Sequence, residues 1–319
     1  MLQYLIIILD DTSISFCHYN NPKTVRKLIS LEDLKNGIIF AMKQNLMIQF
    51  VFPDYDLPIE YKITIESIDN KKIVSDHSLE KNADVFVFND LKNLLNFDFS
   101  ENNEKVIVFR TSKIIFFENY KKIIPILKKV IRLNIVFTDI ENFADTDIGL
   151  YKKILNDFKI AIIENCENSR FPQLNLLTDR VLLDKMNNCN AGNENITLAP
   201  NGKFFICPAF YYENEDDCVG SLKSGLEIKN IHLYKTDFAP ICRNCDAYQC
   251  KRCIWLNRKT THEVNTPSHE QCLISHLERN GSEELLREFH LYDAFLDKEI
   301  KSINYLDPYE ILINKSDRI

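Results

Sequence analysis

Eight of the ten cysteines in this 319-residue chain lie between Cys189 and Cys272; everything before them holds only Cys17 and Cys166. In a reducing compartment, thiols at that density point to metal or redox chemistry before disulfides. Their spacing is ordered: Cys189-x12-Gly202-x4-Cys207, then Cys218, then Cys242-x2-Cys245-x4-Cys250-x2-Cys253, with Cys272 after 18 more residues. Cys-x2-Cys is the tight knuckle that lets two thiolates share one metal or cluster while backbone N–H groups face the sulfurs. Two knuckles with outlying thiols exceed the needs of a single four-ligand site. Seven or eight thiolates fit two sites, filled by iron–sulfur clusters or by zinc.

The part before Cys189 has a different texture. Short apolar runs at Leu5–Leu9, Met47–Phe52, Lys72–Ser75, Asp84–Phe88, Lys105–Phe109, Asn134–Thr138 and Lys159–Glu164 read as strands covered on both faces. Helical stretches fall between them. Ser30-Leu31-Glu32-Asp33 offers a cap followed by apolar residues at helical spacing to about Met42. Pro58–Ile68, Leu91–Leu95, Phe117–Val130 and Leu150–Phe158 continue the series. Alternating strands and helices predict a parallel α/β sheet, first as an incomplete β/α barrel and second as a flavodoxin-like open sheet.

Barrel chemistry sits at the C-terminal ends of the strands. Those ends carry Asp10, Asp11, Asp54, Asp76, His77, Asn89, Asp90, Arg110, Thr111, Asp139 and Glu164. Capping and solvation account for most such residues. The loop from Asp10 to Tyr19 is the most suggestive, because it is long and polar and its Cys17-His18 pair could serve as nucleophile or ligand. The seven glycines form no dinucleotide or P-loop signature, and there is no G-x-S-x-G elbow or H-E-x-x-H helix. A net charge of −7 argues against a general nucleic-acid binder. No run approaches a membrane span, and Tyr4–Leu9 ends in Asp10-Asp11, so it reads as a strand, not a signal peptide. These features together imply a cytoplasmic protein without nucleic-acid or membrane partners.

The cysteine array resembles the SPASM domain, the C-terminal extension of many radical SAM peptide-modifying enzymes. Seven cysteines and the Gly202-x4-Cys207 turn match that pattern, which has a Cys-x2-Cys-x5-Cys-x3-Cys core; the chain departs from it by one residue in each of two core gaps. Val219-Gly220-Ser221-Leu222-Lys223 also resembles the segment that follows the second cysteine there. The resemblance implies two auxiliary [4Fe–4S] clusters. It places Cys189, Cys207 and Cys253 on the first, with the fourth position open or filled by Cys218 beside the acidic run Glu213–Asp217. Cys242, Cys245, Cys250 and Cys272 fall on the second. A radical SAM enzyme also needs Cys-x3-Cys-x2-Cys near its first strand, and this chain has no such triad. The implied fold is therefore a degenerate radical-SAM-like partial barrel over residues 1–182 that binds no SAM. A SPASM-like unit over 183–272 and a helical extension over 273–319 follow it.

Three stretches resemble a more particular family, the CXXX repeat peptide maturases: residues 9–19, 45–55 and 242–258, the last running Cys242-Arg243-Asn244-Cys245 through Cys253-Ile254-Trp255 to Arg258. The resemblance implies a partner subunit of a separate radical SAM enzyme acting on a Cys-rich precursor peptide, most naturally to form thioethers. Two further readings stand beside it: a zinc-stabilised peptide-binding module, and an independent enzyme using the open iron or the Asp10–His18 loop. Arg243, Lys251, Arg252, Arg258 and Lys259 against Asp246 make a basic patch that could offset cluster charge or dock an acidic leader. Trp255 reads as a packed tryptophan, and Leu273–Phe289 as a helix that folds back onto the chain.

Overall fold

The computed structural model describes residues 2–76, 80, 82–100, 105–166, 171–186 and 189–291. Strands β1 (Tyr4–Ile8), β2 (Met47–Val51), β3 (Asn70–Ser75), β4 (Val85–Phe88), β5 (Val106–Thr111), β6 (Arg132–Phe137) and β7 (Gln173–Leu174) pair in parallel, each with the next. Helices α1 (Leu31–Lys43), α2 (Ile59–Glu66), α3 (Leu91–Asn96), α4 (Lys113–Ile123) and α5 (Ile148–Cys166) lie between them in sequence. After α6 (Thr178–Leu182), β8 (Asn195–Leu198) pairs with β1 in parallel, and β9 (Phe204–Phe205) pairs with β8 antiparallel. The remainder is α7 (Pro208–Glu213), the small ribbon β10 (Gly220–Ser221) and β11 (Gly225–Leu226), α8 (Ile254–Thr261) and α9 (His269–Leu291).

The sheet order, β7-β6-β5-β4-β3-β2-β1-β8-β9, follows the chain without reversal through its first seven strands. Right-handed crossovers along such an order put the helices on one face. A flavodoxin-like sheet needs a reversal and helices on both faces. The fold is thus mixed α/β with a singly wound, mostly parallel nine-stranded sheet, the order expected of an incomplete barrel.

Alternation along the strands separates two faces. Leu5, Ile7, Phe50, Val74, Phe86, Phe88, Ile107, Phe109 and Ile135 join the main core with the helices. Ile6, Val51, Ile73, Val87, Val108 and Val136 form a second cluster on the other face, against which Ile14 and Phe16 of the β1 loop pack. Both faces are apolar, which is why the strands read as continuous hydrophobic runs.

Most of the expected helices form. Ser30 caps α1 by accepting the Asp33 N–H at 3.0 Å, and Leu34, Gly37, Ile38 and Ala41 give that helix its buried stripe. The helix expected over Phe117–Val130 begins earlier, behind the Ser112 cap, and gives way at Ile124 to a tighter turn containing Pro125, whose missing N–H cannot continue the α ladder. One expectation fails outright. Lys159–Glu164 is no strand; it is the last third of α5, and Glu164 lies exposed on that helix instead of at a strand end. Tyr151, Ile154, Leu155, Phe158 and Ile162 recur at helical spacing and are buried there. The seventh parallel strand is the later, two-residue β7.

Leu273, Ile274, Leu277, Leu285, Leu286 and Phe289 are buried on α9, and the Ser282 hydroxyl donates to the Leu177 carbonyl at 2.6 Å, so the segment does fold back onto the chain. Residues 292–319 and His77 lie outside the described residues. Among the described residues, no helix is long and apolar enough to cross a membrane.

Candidate functional site

The β1 loop and the cysteine-rich part meet around one cavity of about 440 Å3. Cys17, His18 and Tyr19 line it from the loop; Cys189, Cys207 and Cys253 line it from the other side, with Lys251 beside them. Gly202, in the turn between β8 and β9, adopts φ +73°, a conformation in which a side chain is strained, and donates its N–H to Ala199 O at 3.0 Å. That turn sets up the short strand before Cys207. Cys207 and Cys253 precede the first residues of α7 and α8, so that backbone N–H groups of that first turn lie near each sulfur: Ala209 and Phe210 by Cys207, Trp255 and Leu256 by Cys253. Cys189 receives the N–H of Ala191. Burial pushes Cys189 up to about 11 and Cys253 to about 12, and raises Cys207 and Cys17 too. Left to themselves these thiols stay protonated; a bound cationic centre would draw them to thiolates.

Buried polar contacts fix the loop. Arg110, at the C-terminal end of β5 and 6% exposed, donates from Nε to the Cys17 carbonyl at 2.7 Å. Its other nitrogens reach the Tyr19 carbonyl, Asn20 Oδ1 and Asn89 Oδ1. The Phe137 carbonyl, at the end of β6, lies 2.7 Å from His18 Nδ1. A carbonyl only accepts, so Nδ1 carries the proton and Nε2 keeps its lone pair. Burial, with the Lys251 cation next, lowers His18 to about 4, so the ring is neutral at physiological pH. Asp10, fully buried, accepts from Thr12 and from Tyr55 Oη at 2.8 Å; Asp11 accepts from Tyr211 of α7. Tyr19 stacks on Tyr212 with ring centroids 5.6 Å apart. The loop is therefore tied to the barrel on one side and to α7 on the other.

Cys242, Cys245, Cys250 and Cys272 form a separate group. Cys242 and Cys272 are held up first by burial and then by other thiols of this group; Cys250 is raised by burial and by Cys245 against hydrogen bonds from Ser275 and the Arg252 N–H. Ala247 N–H donates to Cys245 Sγ and Arg252 N–H to Cys250 Sγ, both at 3.4 Å; His276 Nε2 lies 3.6 Å from Cys245 Sγ. Arg252, at φ +42° and 5% exposed, places its guanidinium within electrostatic reach of Cys242 and Cys250 in this group and of Cys189 in the other. Its NH1 also donates to the Tyr234 carbonyl at 2.9 Å. Among the described residues no three His, Cys, Asp or Glu side chains converge on a single metal ion. A zinc ion needs its sulfurs about 2.3 Å from one point. A four-iron cluster keeps its thiolates further apart, because the irons and sulfides stand between them.

The remaining candidates separate in space. Cys218 packs against the same apolar cluster as Cys17 and Cys207 but does not line the cavity. Asp90 caps α3, Asp139 accepts the Lys113 N–H, Asp76 accepts from Asn93, and Asp54 faces Arg26 at 4.0 Å. Thr111 is buried at the end of β5 with its hydroxyl on the Ser112 carbonyl. The basic patch does not exist as one surface. Arg252 is buried, Arg258 pairs with Glu213 and Asp217, Lys259 pairs with Glu141, and Asp246 is buried between Arg180 and Arg279. Lys251 alone of that set reaches the cavity. Trp255 is half-buried and donates to Glu213 at 2.7 Å.

Sequence reasoning missed Glu278. It is buried under a second, smaller cavity bordered by His18, Gln249 and Lys251, and it accepts from Tyr151 Oη at 2.6 Å. Burial raises its carboxyl to about 8. The unfolded carboxyl loses its proton near 4.5, so between pH 4.5 and 8 folding takes up a proton and stability falls as pH rises. Glu278→Gln is expected to flatten that fall, gaining on the order of 1–2 kcal/mol on the wild type across the range once relaxation of the site is allowed for. Urea midpoints at several pH values measure the difference; parallel curves for the two proteins refute the assignment.

No family model and no curated protein matches the chain. Solved structures do. The chain is similar to anSMEcpe with bound AdoMet and the Cp18Cys peptide, at 12% identity over 91% of this chain and 100% of that one, with a TM-score of 0.64. A histidine-tagged anSMEcpe with bound AdoMet gives 11% identity, 91% and 96% coverage, and a TM-score of 0.62. At such identity the likeness is one of fold: across nearly its whole length, the chain has the mixed α/β, mostly parallel architecture of these AdoMet-bound structures.

Proposed function

We propose that this chain is an iron–sulfur subunit that works beside a separate radical SAM enzyme in maturing a ribosomally made Cys-x-x-x repeat peptide. In this reading residues 1–182 are a barrel without SAM chemistry, 183–272 the cluster-bearing unit and 273–319 its helical extension. Cys189, Cys207 and Cys253 hold one [4Fe–4S] cluster; Cys242, Cys245, Cys250 and Cys272 hold the other. The observation that carries the reading is the sorting of these seven thiols into two groups: Cys189, Cys207 and Cys253 around one cavity, and Cys242, Cys245, Cys250 and Cys272 within electrostatic reach of one another, with backbone N–H donors on Cys245 and Cys250. When bound, the clusters supply one-electron transfer.

The chain's own residues do the rest. The N–H groups of Ala209, Phe210, Trp255 and Leu256 meet charge on the first set of sulfurs, and those of Ala247 and Arg252 meet it on the second. Arg252 places a buried cation between the sets. Both similar structures contain AdoMet, and one of them also a peptide. Here the β1 loop offers Cys17 alone where a SAM-cleaving site needs three thiols, and Ile14 and Phe16 pack onto the inner sheet face. SAM cleavage therefore belongs to the partner, and the peptide is shared with it.

Anaerobic purification should give about eight irons and eight acid-labile sulfides per chain, with [4Fe–4S] EPR signals on reduction. About two zinc ions without sulfide would make the unit a structural module. A partner enzyme that modifies its peptide at the same rate without this chain would remove the accessory role.

A further inference from the structure

Four thiols, not three, border the larger cavity. The fourth belongs to Cys17, from the opposite end of the sequence, and it is held there: its own carbonyl is fixed by Arg110 of β5 at 2.7 Å, and its neighbour His18 by the end of β6 at 2.7 Å. The thiol therefore stands at a set position on a braced loop. It borders the same cavity as the thiols of Cys189, Cys207 and Cys253. A second observation points at the same space. Tyr19, 3% exposed and lining the cavity, has a hydroxyl with no hydrogen-bond partner among the described residues. A buried hydroxyl left without a partner marks a group to be filled in. A sulfide or thiolate at the cavity would accept from it.

We propose that Cys17 is the fourth thiolate of the four-iron, four-sulfide cluster otherwise held by Cys189, Cys207 and Cys253, so that this cluster clamps the first loop of the barrel to the cysteine-rich unit. The proposal rests on the iron–sulfur reading above. Ligation exchanges one S–H bond for one Fe–S bond, the proton leaves to water, and no electron moves; iron and sulfide are the only added reactants. With four protein thiolates no iron is left open. The cluster then passes electrons and does not bind the peptide's cysteine. Cys218, which the spacing alone would nominate, stays off the cavity.

The test compares full-length wild type, Cys17→Ser and Cys218→Ser, each loaded with iron and sulfide and purified anaerobically. Iron and sulfide content, reduced EPR spectra and the effect of added 2-mercaptoethanol are read, with circular dichroism as the fold control. Cys218→Ser should match wild type. Cys17→Ser should lose roughly half its iron and sulfide, or keep them with a changed spectrum that shifts again on adding the thiol. The wild-type spectrum should not respond to the thiol, and this measurement stands even if Cys17→Ser misfolds. A wild-type response reveals an open iron and overturns the proposal, as does a Cys17→Ser protein indistinguishable from wild type. Either result leaves the two-cluster reading intact. Wild type without iron sinks that reading, and the proposal with it.

Discussion

Asp246→Ala is expected to lower folding stability by about 3–5 kcal/mol, the scale seen when one partner of a buried ion pair is removed. Asp246 is 1% exposed. Its Oδ2 lies 3.1 Å from Arg180 NH2 of α6 and 3.0 Å from Arg279 NH2 of α9, and Arg279 Nε is 3.2 Å from Oδ1. Removing the carboxylate leaves the buried Arg180 guanidinium without its counter-ion and leaves Arg279 with Glu283 as its remaining acidic partner. Asp246→Asn keeps the shape and part of the hydrogen bonding but not the charge, so it should fall between. Arg243→Ala, at an exposed position in the same turn, should stay within about 0.5 kcal/mol of wild type. For a chain of this size the alanine variant should melt roughly 5–10 °C lower. A loss below about 1 kcal/mol would show that the triad is solvated in solution. The effect also reaches the site. Asp246 follows Cys245 directly, so its two arginines aim the Cys242-x2-Cys245 turn, and the variant should retain metal at that group less well than at the other.

That triad shows where sequence reading stops. In the sequence Asp246 was one acid offsetting five nearby cations. Its partners come from positions 66 and 33 residues away, on helices that meet only in the fold. The strands were legible because each is apolar on both faces: in β4, Phe86 and Phe88 face the helices while Val87 faces the inner cluster. The same rule produced the error at Lys159–Glu164. Lys-Ile-Ala-Ile-Ile-Glu is apolar over four residues, too short to separate strand from helix without the Tyr151–Phe158 period before it. The two-residue β7 carries no pattern to read.

The site was half legible for a related reason. Local spacing could group Cys242 with Cys245, because i, i+3 neighbours are close, but it could not tell that Cys250 and Cys253, also three apart, fall in different groups. It could not place Cys17, since what sets that residue against Cys189 and Cys253 is the path of a loop held 93 positions away by Arg110. In the sequence Arg110 was one of eleven strand-end residues, among which Asp90 proved to be a helix cap and Asp54 a partner of a surface arginine. It is a buried guanidinium, and a guanidinium out of water must have its donors met; here they are met largely by the loop that carries Cys17.

Arg110→Met tests that dependence directly. Methionine fills a similar volume and removes every donor, so the Cys17 and Tyr19 carbonyls, Asn20 and Asn89 all lose a charged partner together. Hydrogen bonds to a charged group contribute about 1.5–3 kcal/mol each, but they do not add fully, and the arginine recovers hydration on unfolding. A net loss of about 3 kcal/mol is the expectation, read as a lower urea midpoint with an unchanged slope. The loss should be local in character. Amides of the β1 loop should exchange hydrogen faster, while those of β1 to β4, whose pairing Arg110 does not touch, should keep their protection relative to the global value. If Cys17 holds the first cluster, the variant should shed iron from that cluster before the Cys242–Cys272 group does. A variant within about 1 kcal/mol of wild type, with loop exchange unchanged, would mean that the packing of Ile14 and Phe16 and the loop's ties to Phe137 and Tyr211 hold it in place without Arg110.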